Sequence, residues 1–333
     1  MMFDFFSAVH TVFTGILLQA LPFILFGSLL SSALHIFIPQ AVIIKVFPQK
    51  YGIGFLTALL AGLFFPVCEC ASVPLMRGLI KKGVAMPIAV TFMLASPIIN
   101  PVSIASTFYA FPQQPFIALY RVYFGLLIAF AVGLLLLLYP ESSYLKEEFS
   151  IHRSGDNQAA QTAPTAGRPL LFSPREKRSL LYIGATQTQQ TGNGTPAAAE
   201  KLSALLLHTG SELFTAGPFL IIGAFITALI RTAVPQAVFG ADSSSAAGSL
   251  ALMMLFAFLF SACSSSDAFI VRGFLNRFPI GSIVGFLVYG PMMDIKNLFM
   301  LLSLFKRRFV IELTLIITAA NFIGLSFLTH FFL

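Results

Sequence analysis

Charge is what this chain has least of. Only 10% of its 333 residues are Asp, Glu, Lys or Arg, and 57% are hydrophobic; a soluble domain carries about 25% charged residues. That shortage excludes a water-soluble globular protein. No charged residue falls in 5–44, 83–120, 122–140, 213–230, 243–266, 278–293 or 313–333. About 20 apolar residues cross a bilayer as a helix, and several of these runs qualify. They show no strand-like alternation, so helices are predicted rather than a barrel. The chain also lacks a Walker motif, a dinucleotide fingerprint and an HExxH zinc motif, which excludes ATP-driven transport by this chain alone and gives no sign of an enzyme or a cofactor. Three cysteines are too few for a disulfide framework. The N-terminus has no basic n-region and cleavage site, so the first apolar segment is expected to be a retained helix.

The net charge of +7 does not point to nucleic acid. The basic residues sit in short loops at the ends of apolar runs, which is the positive-inside pattern. The polar stretch 141–201 divides the chain. Its sequence GATQTQQTGNGTPAAAE is too poor in apolar side chains to fold alone. We expect a first membrane repeat over 1–140, a flexible linker over 141–201 and a second repeat over 202–333. The repeat is legible in the residues. PFILFGSLLSSALHIFIPQ, from Pro22, aligns without a gap with PFLIIGAFITALIRTAVPQ, from Pro218. Phe65-x-x-Cys68 aligns with Phe260-x-x-Cys263, Arg77-Gly78 with Arg272-Gly273, and Ser96-Pro97-Ile98-Ile99-Asn100 with Gly290-Pro291-Met292-Met293-Asp294. The fold class expected is all-α and polytopic, with two homologous repeats of about four hydrophobic segments each and broken or re-entrant helices.

Residues 83–120 are too long for one crossing: about 57 Å as a helix against a hydrocarbon core of about 30 Å. Pro97 and Pro101 are predicted to break this run, with Pro291 at the equivalent place and Pro74 after the cysteines. The segments 52–82 and 249–277 allow two topologies. Eight full crossings make the repeats parallel, with five short-loop basic residues on the linker side and seven opposite. Re-entrant segments make them inverted, with eight and four. The second count obeys the positive-inside rule better, and it places broken backbone where transporters bind their cargo.

All three cysteines lie at one repeated feature, Cys68 and Cys70 in the first half and Cys263 in the second. On irregular backbone, Cys-x-Cys can aim both sulfurs at one point. Thiolates suit soft, thiophilic species such as trivalent arsenic or a d¹⁰ metal ion, so Cys68, Cys70 and Cys263 are also candidate metal ligands. Packing is the plain alternative for membrane cysteines. Glu69, Asp267, Asp294 and Lys296 lie at or near the ends of apolar segments, where an ionisable group is costly and marks function or a structural ion pair. A carboxylate there can also bind and release a coupling proton. Asn100 and Asn297 can hydrogen-bond backbone freed at the helix breaks, or a substrate.

The motifs FPVCEC…SPIINP and ACSSSDAFIVRGF…GPMMDIKN resemble a family of predicted bacterial permeases that also contains the ArsP-type organoarsenical efflux permeases. The resemblance covers both halves, and the Cys68-Glu69-Cys70 motif is closer to its uncharacterised branch. It implies a multi-pass protein of the bacterial plasma membrane, usually drawn with eight transmembrane segments.

The expected function is that of a secondary permease, not an enzyme, moving a small thiophilic or soft solute such as an organoarsenical or soft metal species. Access would alternate between the two repeats. Two alternatives stand beside it: an intramembrane thiol redox protein using Cys68 and Cys70, and a non-transporting membrane subunit of a complex. The partners expected are the bilayer, the solute and a membrane subunit or second copy of the chain. The linker is expected on the cytoplasmic side.

Overall fold

The computed structural model describes residues 2–37, 40–48, 51–64, 67–138, 198–233, 245–261 and 263–331. Every regular element among them is an α-helix. Five helical stretches are long and apolar enough to cross a membrane: Phe5–Ala33, Met86–Ala110, Phe116–Leu136, Ile280–Leu304 and Arg307–Leu328. The chain is an all-α, multi-pass membrane protein. The expected linker falls outside the described residues except at its end, where 198–201 already belong to a helix.

The first half contains α1 (Met2–Phe37), α2 (Gln40–Val46), α3 (Tyr51–Phe64), α4 (Glu69–Lys81), α5 (Met86–Ile99), α6 (Pro101–Ala110) and α7 (Phe116–Leu136). Close approaches give their directions. Gly54 lies against Ile88 and Gly62 against Ser96, so α3 and α5 run parallel. Gly125 meets Ile98 and Gly133 meets Thr91, so α7 runs opposite to α5. Gly27 meets Ala71 and Gly78 meets Ser31, so α1 runs parallel to α4.

Between α4 and α5 the chain reverses at 82–85. Gly83 N–H donates to Ile80 O at 3.0 Å and Val84 N–H to Leu79 O at 3.1 Å, the pair of bonds that closes a Schellman turn. That turn needs a left-handed residue at its centre, and Gly83 has φ 87°. With α4 antiparallel to α5, and α3 parallel to it, α3 and α4 form a segment that enters and returns. At 14 and 13 residues, each is about 20 Å long, short of the roughly 30 Å core.

The second half contains α8 (Ala198–Ala233), α9 (Ala246–Phe260), α10 (Asp267–Arg272), α11 (Ile280–Met292), α12 (Ile295–Leu304) and α13 (Arg307–Phe331). Its contacts follow the same plan. Gly285 lies against Leu250 and Gly290 against Ser261, so α9 runs parallel to α11. Tyr289 bonds Thr318, and Met293 accepts from Thr314, so α13 runs opposite to α11. Phe13 packs edge-on against Phe225 at 5.8 Å, and Val9 and Ile16 cluster with Ala224 and Ala228. The first half of α1 therefore packs against the later turns of α8. Helices α5 and α11, apolar on every face, lie at the centre against each other and against α7. Leu18 and Phe26 on α1, Leu134 on α7 and Ile323 on α13 point outward, as lipid-facing side chains do.

Three prolines expected at helix breaks lie inside helices instead: Pro74 in α4, Pro97 in α5 and Pro291 in α11. Pro101 does mark a break. It forces its predecessor Asn100 out of helical geometry, to ψ 124°. In the second half the break comes after Pro291, at Met293 and Asp294, both extended. A proline removes its own N–H, and the helix can continue past the lost bond for a turn.

The tight glycine contacts yield a stability prediction. A Cβ on Gly27 would come to 2.8 Å from the Ala71 backbone, and one on Gly62 to 2.6 Å from the Ser96 backbone, whereas Gly15 has open space. Gly27→Ala and Gly62→Ala should each destabilise the protein by about 1–3 kcal/mol, seen as a lower thermal unfolding midpoint in detergent. Gly15→Ala should not.

Candidate functional site

The two entering segments bring their tips together inside the bundle. The first tip is Val67 and Cys68, where the chain is extended before α4 begins at Glu69. Cys68 therefore lies on irregular backbone and Cys70 on the first helical turn, with the two thiols near each other. The second tip comprises Ser261 and residues 263–266, whose turn at 264–266 leads into α10 at Asp267. It carries Cys263, which lies within electrostatic reach of Glu69 and Cys70. All three thiols are free and buried.

Each tip sits beside the break of a long helix. Asn100 caps α6 by accepting from Val102 N–H at 3.0 Å. Asp294 caps α12 by accepting from Asn297 N–H at 2.7 Å. These are the two positions aligned between the halves, and each supplies the side-chain oxygen that a helix start needs.

The polar and charged side chains of the site are all buried: Glu69, Asn100, Arg121, Asp267, Asp294, Lys296 and Asn297. Most of them bond backbone that the tips leave unpaired. Asn100 donates to Val67 O at 3.4 Å. Lys296 donates to Ser261 O at 3.0 Å and pairs with Asp294 at 3.0 Å. Asp267 accepts from the Ser261 hydroxyl at 2.6 Å. Ser264 joins the halves. Its N–H donates to Glu69 Oε2 at 3.2 Å, its carbonyl accepts from Arg121 at 2.7 Å, and its hydroxyl accepts from Ser103 at 2.8 Å. From α1, Gln19 donates to the Ser266 hydroxyl at 2.6 Å. Burying these groups is tolerable because nearly every one finds a partner.

The nine candidate residues Cys68, Glu69, Cys70, Asn100, Cys263, Asp267, Asp294, Lys296 and Asn297 thus gather around the two tips. Among the described residues, no three His, Cys, Asp or Glu side chains are disposed to hold a metal ion.

Sequence reasoning missed Arg121, Ser103, Ser261 and Gln19. Arg121 was expected in a short loop. It lies instead within α7, fully buried, bonded to Thr107 at 2.6 Å and to the Ser103 carbonyl at 3.4 Å. A lone cation flanked on both sides by long uncharged runs was the available signal. Without Arg121 the count opposite the linker falls by one in both topologies, from seven to six and from four to three, so the preference between them is unchanged.

Arg121 fastens α6, α7 and the second tip through one planar fork. Arg121→Met should cost about 1.5–3 kcal/mol for the charged hydrogen bonds, read as a lower unfolding midpoint in detergent. Arg121→Lys should rescue little, because a single ammonium cannot reach both tip and helix in the same geometry.

The chain is similar to known proteins along nearly its whole length. The family model described as a predicted permease, ArsP_1, matches residues 5–331. The UPF0718 protein YcgR of Bacillus subtilis (strain 168) is 36% identical over 305 residues, covering 92% of this chain and 91% of its own length. A Streptococcus mutans protein named "Putative two-component membrane permease complex subunit" is 29% identical over 301 residues, covering 90% and 88%. No solved structure matches. The chain belongs to the ArsP_1 family of predicted permeases.

Proposed function

We propose that this membrane permease is a secondary carrier for a small thiophilic or soft solute, an organoarsenical or soft metal species, with access alternating between two inverted halves. One observation carries the reading: Cys68 and Cys70 on one tip and Cys263 on the other lie buried around a single contact, Glu69 with Ser264. A soft electrophile would meet thiols from both tips there, in a site built from broken helices. Ser103 meets Ser264 and Tyr109 meets Phe269, so α6 of one half runs in the same direction as α10, the returning arm of the other, as inverted halves require. In this conformation the three thiols do not close on one point, so binding to all three would draw the tips together. That movement would be part of the transport cycle. The protein would sit in the bacterial plasma membrane with residues 141–201 on the cytoplasmic side.

A second reading is a carrier subunit that needs a membrane partner. It is favoured by the name of the Streptococcus mutans relative. The redox alternative has less support, since Cys68 and Cys70 are both buried, out of reach of a reductant.

Flux into proteoliposomes tests this directly, with methylarsenite, Ag⁺ and Cu⁺ as the panel. Wild type should move at least one of them. The triple variant Cys68→Ser, Cys70→Ser, Cys263→Ser should lose about tenfold or more, equivalent to at least about 1.4 kcal/mol of binding, while its unfolding midpoint stays close to wild type. Equal flux from the triple variant across the panel would refute the thiol site. Flux that appears only when a partner subunit is added would favour the second reading.

A further inference from the structure

A groove of about 790 Å³ opens on the surface between α6 and α10, lined by Ala105, Phe108, Tyr109, Pro112 and Arg272. That volume is in the range of ligand sites. Its walls are apolar and aromatic, with Arg272 as the one charge. The two helices lie side by side. The Ser103 and Ser264 hydroxyls join them at one end, 2.8 Å apart, and the Tyr109 and Phe269 rings meet further along at 6.2 Å.

The groove lies at a membrane face. Helix α6 ends at Ala110 and α7 begins at Phe116, so Pro112 sits in the turn between two apolar helices. At 21 residues, α7 is about 32 Å long, enough to cross the bilayer, and it ends just before the polar stretch 141–201. The turn and Arg272 beside it are therefore at the opposite face, where headgroups meet hydrocarbon. Phe108, Tyr109 and Phe269 are exposed, Tyr109 at 77%. An arginine among outward aromatic rings suits that boundary, with its stem in the apolar layer and its fork in the polar one.

Arg272 is exposed, and among the described residues its side chain has no hydrogen bond or ion pair. Arg277, a turn beyond it, is exposed as well, whereas Arg77, the equivalent of Arg272 in the first half, is half-buried. The described carboxyls of this half nearest in sequence, Asp267 and Asp294, are buried. Two outward cations therefore stand at the mouth of an apolar groove.

We propose that this groove binds one anionic phospholipid from the leaflet opposite residues 141–201, with the Arg272 fork on its phosphate and an acyl chain against Phe108 and Tyr109. A guanidinium matches a phosphate with two parallel hydrogen bonds. The apolar walls call for a lipid rather than a free anion, since only an acyl chain fills them. Two arginines call for an anionic headgroup, since a zwitterionic one brings its own cation beside them. A lipid seated there touches α6 of the first half and α10 of the second. The proposal does not depend on the carrier reading.

The chain contains no tryptophan, so Phe108→Trp places a single fluorophore in the groove. The full chain is reconstituted in mixed phosphatidylcholine and phosphatidylglycerol bilayers, with brominated acyl chains on one lipid or the other at equal mole fraction. Bromine quenches a tryptophan it touches. Brominated phosphatidylglycerol should quench more strongly, giving a relative binding constant about fivefold or more in its favour. Adding Arg272→Gln should lower that constant about fivefold, the effect of one basic residue beside anionic lipid. Arg272→Lys should keep most of it, and Arg307→Gln, which removes an exposed arginine at the start of α13, should leave it unchanged. Phe269→Trp, at the neighbouring ring, is a second reporter and should show the same preference. Equal quenching by the two lipids at both positions overturns the proposal. So does an equal loss in Arg272→Gln and Arg307→Gln, which would mean general surface charge, or a preference abolished by excess inorganic phosphate but not by equal ionic strength of chloride, which would mean a free-anion site.

Discussion

Unpaired backbone inside an apolar bundle is the constraint on which this structure turns. In lipid every N–H and C=O must find a partner within the protein. Two segments here enter the bundle, stop, and leave, and at each tip the helical ladder is interrupted. The groups released are met one by one. Val67 O is met by Asn100, Ser261 O by Lys296, Ser264 O by Arg121 and Ser264 N–H by Glu69. Side chains too costly to bury alone become affordable because they serve backbone that would be costly to leave bare. The helices around them supply what the tips lack, a continuous apolar shell with α5 and α11 innermost.

This arrangement also explains why the site is poised between rigidity and motion. Bonds within each half, such as Lys296 with Ser261 and Asn100 with Val67, hold each tip to its own broken helix. The bonds between halves are few and centre on Ser264, which Glu69, Arg121 and Ser103 all reach. Each half can move as a unit only if those contacts change. A polar group left unpaired in such a network is costly, and Glu69 Oε1, Arg121 Nε and Asn297 Oδ1 have no hydrogen-bond partner there among the described residues. The Cys68 and Cys70 thiols flank Glu69, so events at the sulfurs and at the carboxyl are not independent.

Much of the fold was legible in the residues. Long uncharged runs marked the membrane helices, and the excess length of 83–120 showed that a helix had to break. The paired motifs around Cys68 and Cys263 located the tips. Proline placed the breaks only roughly. Pro97 and Pro291 continue inside helices, and the turn comes at Asn100 and Asp294, where a capping oxygen is available. Asn100 and Asp294 were singled out, but their shared role as helix caps appears only with the backbone geometry. Arg121 was misplaced because a single charge between two apolar runs fits a loop as well as a buried partner. Ser264 lies in a turn, and it also joins the two halves.

The amino-acid sequence by itself determined that the protein lives in a membrane, that its segments are helices, and which short motifs interrupt them. These follow from hydropathy, run length and residue type, all of which are local quantities. Only the tertiary structure decided that α3 and α4 enter and return, that Arg121 is buried, and that groups 195 positions apart, Glu69 and Ser264, meet at 3.2 Å. Such facts depend on which backbone groups are left without a partner once the helices pack, and no single segment contains that information.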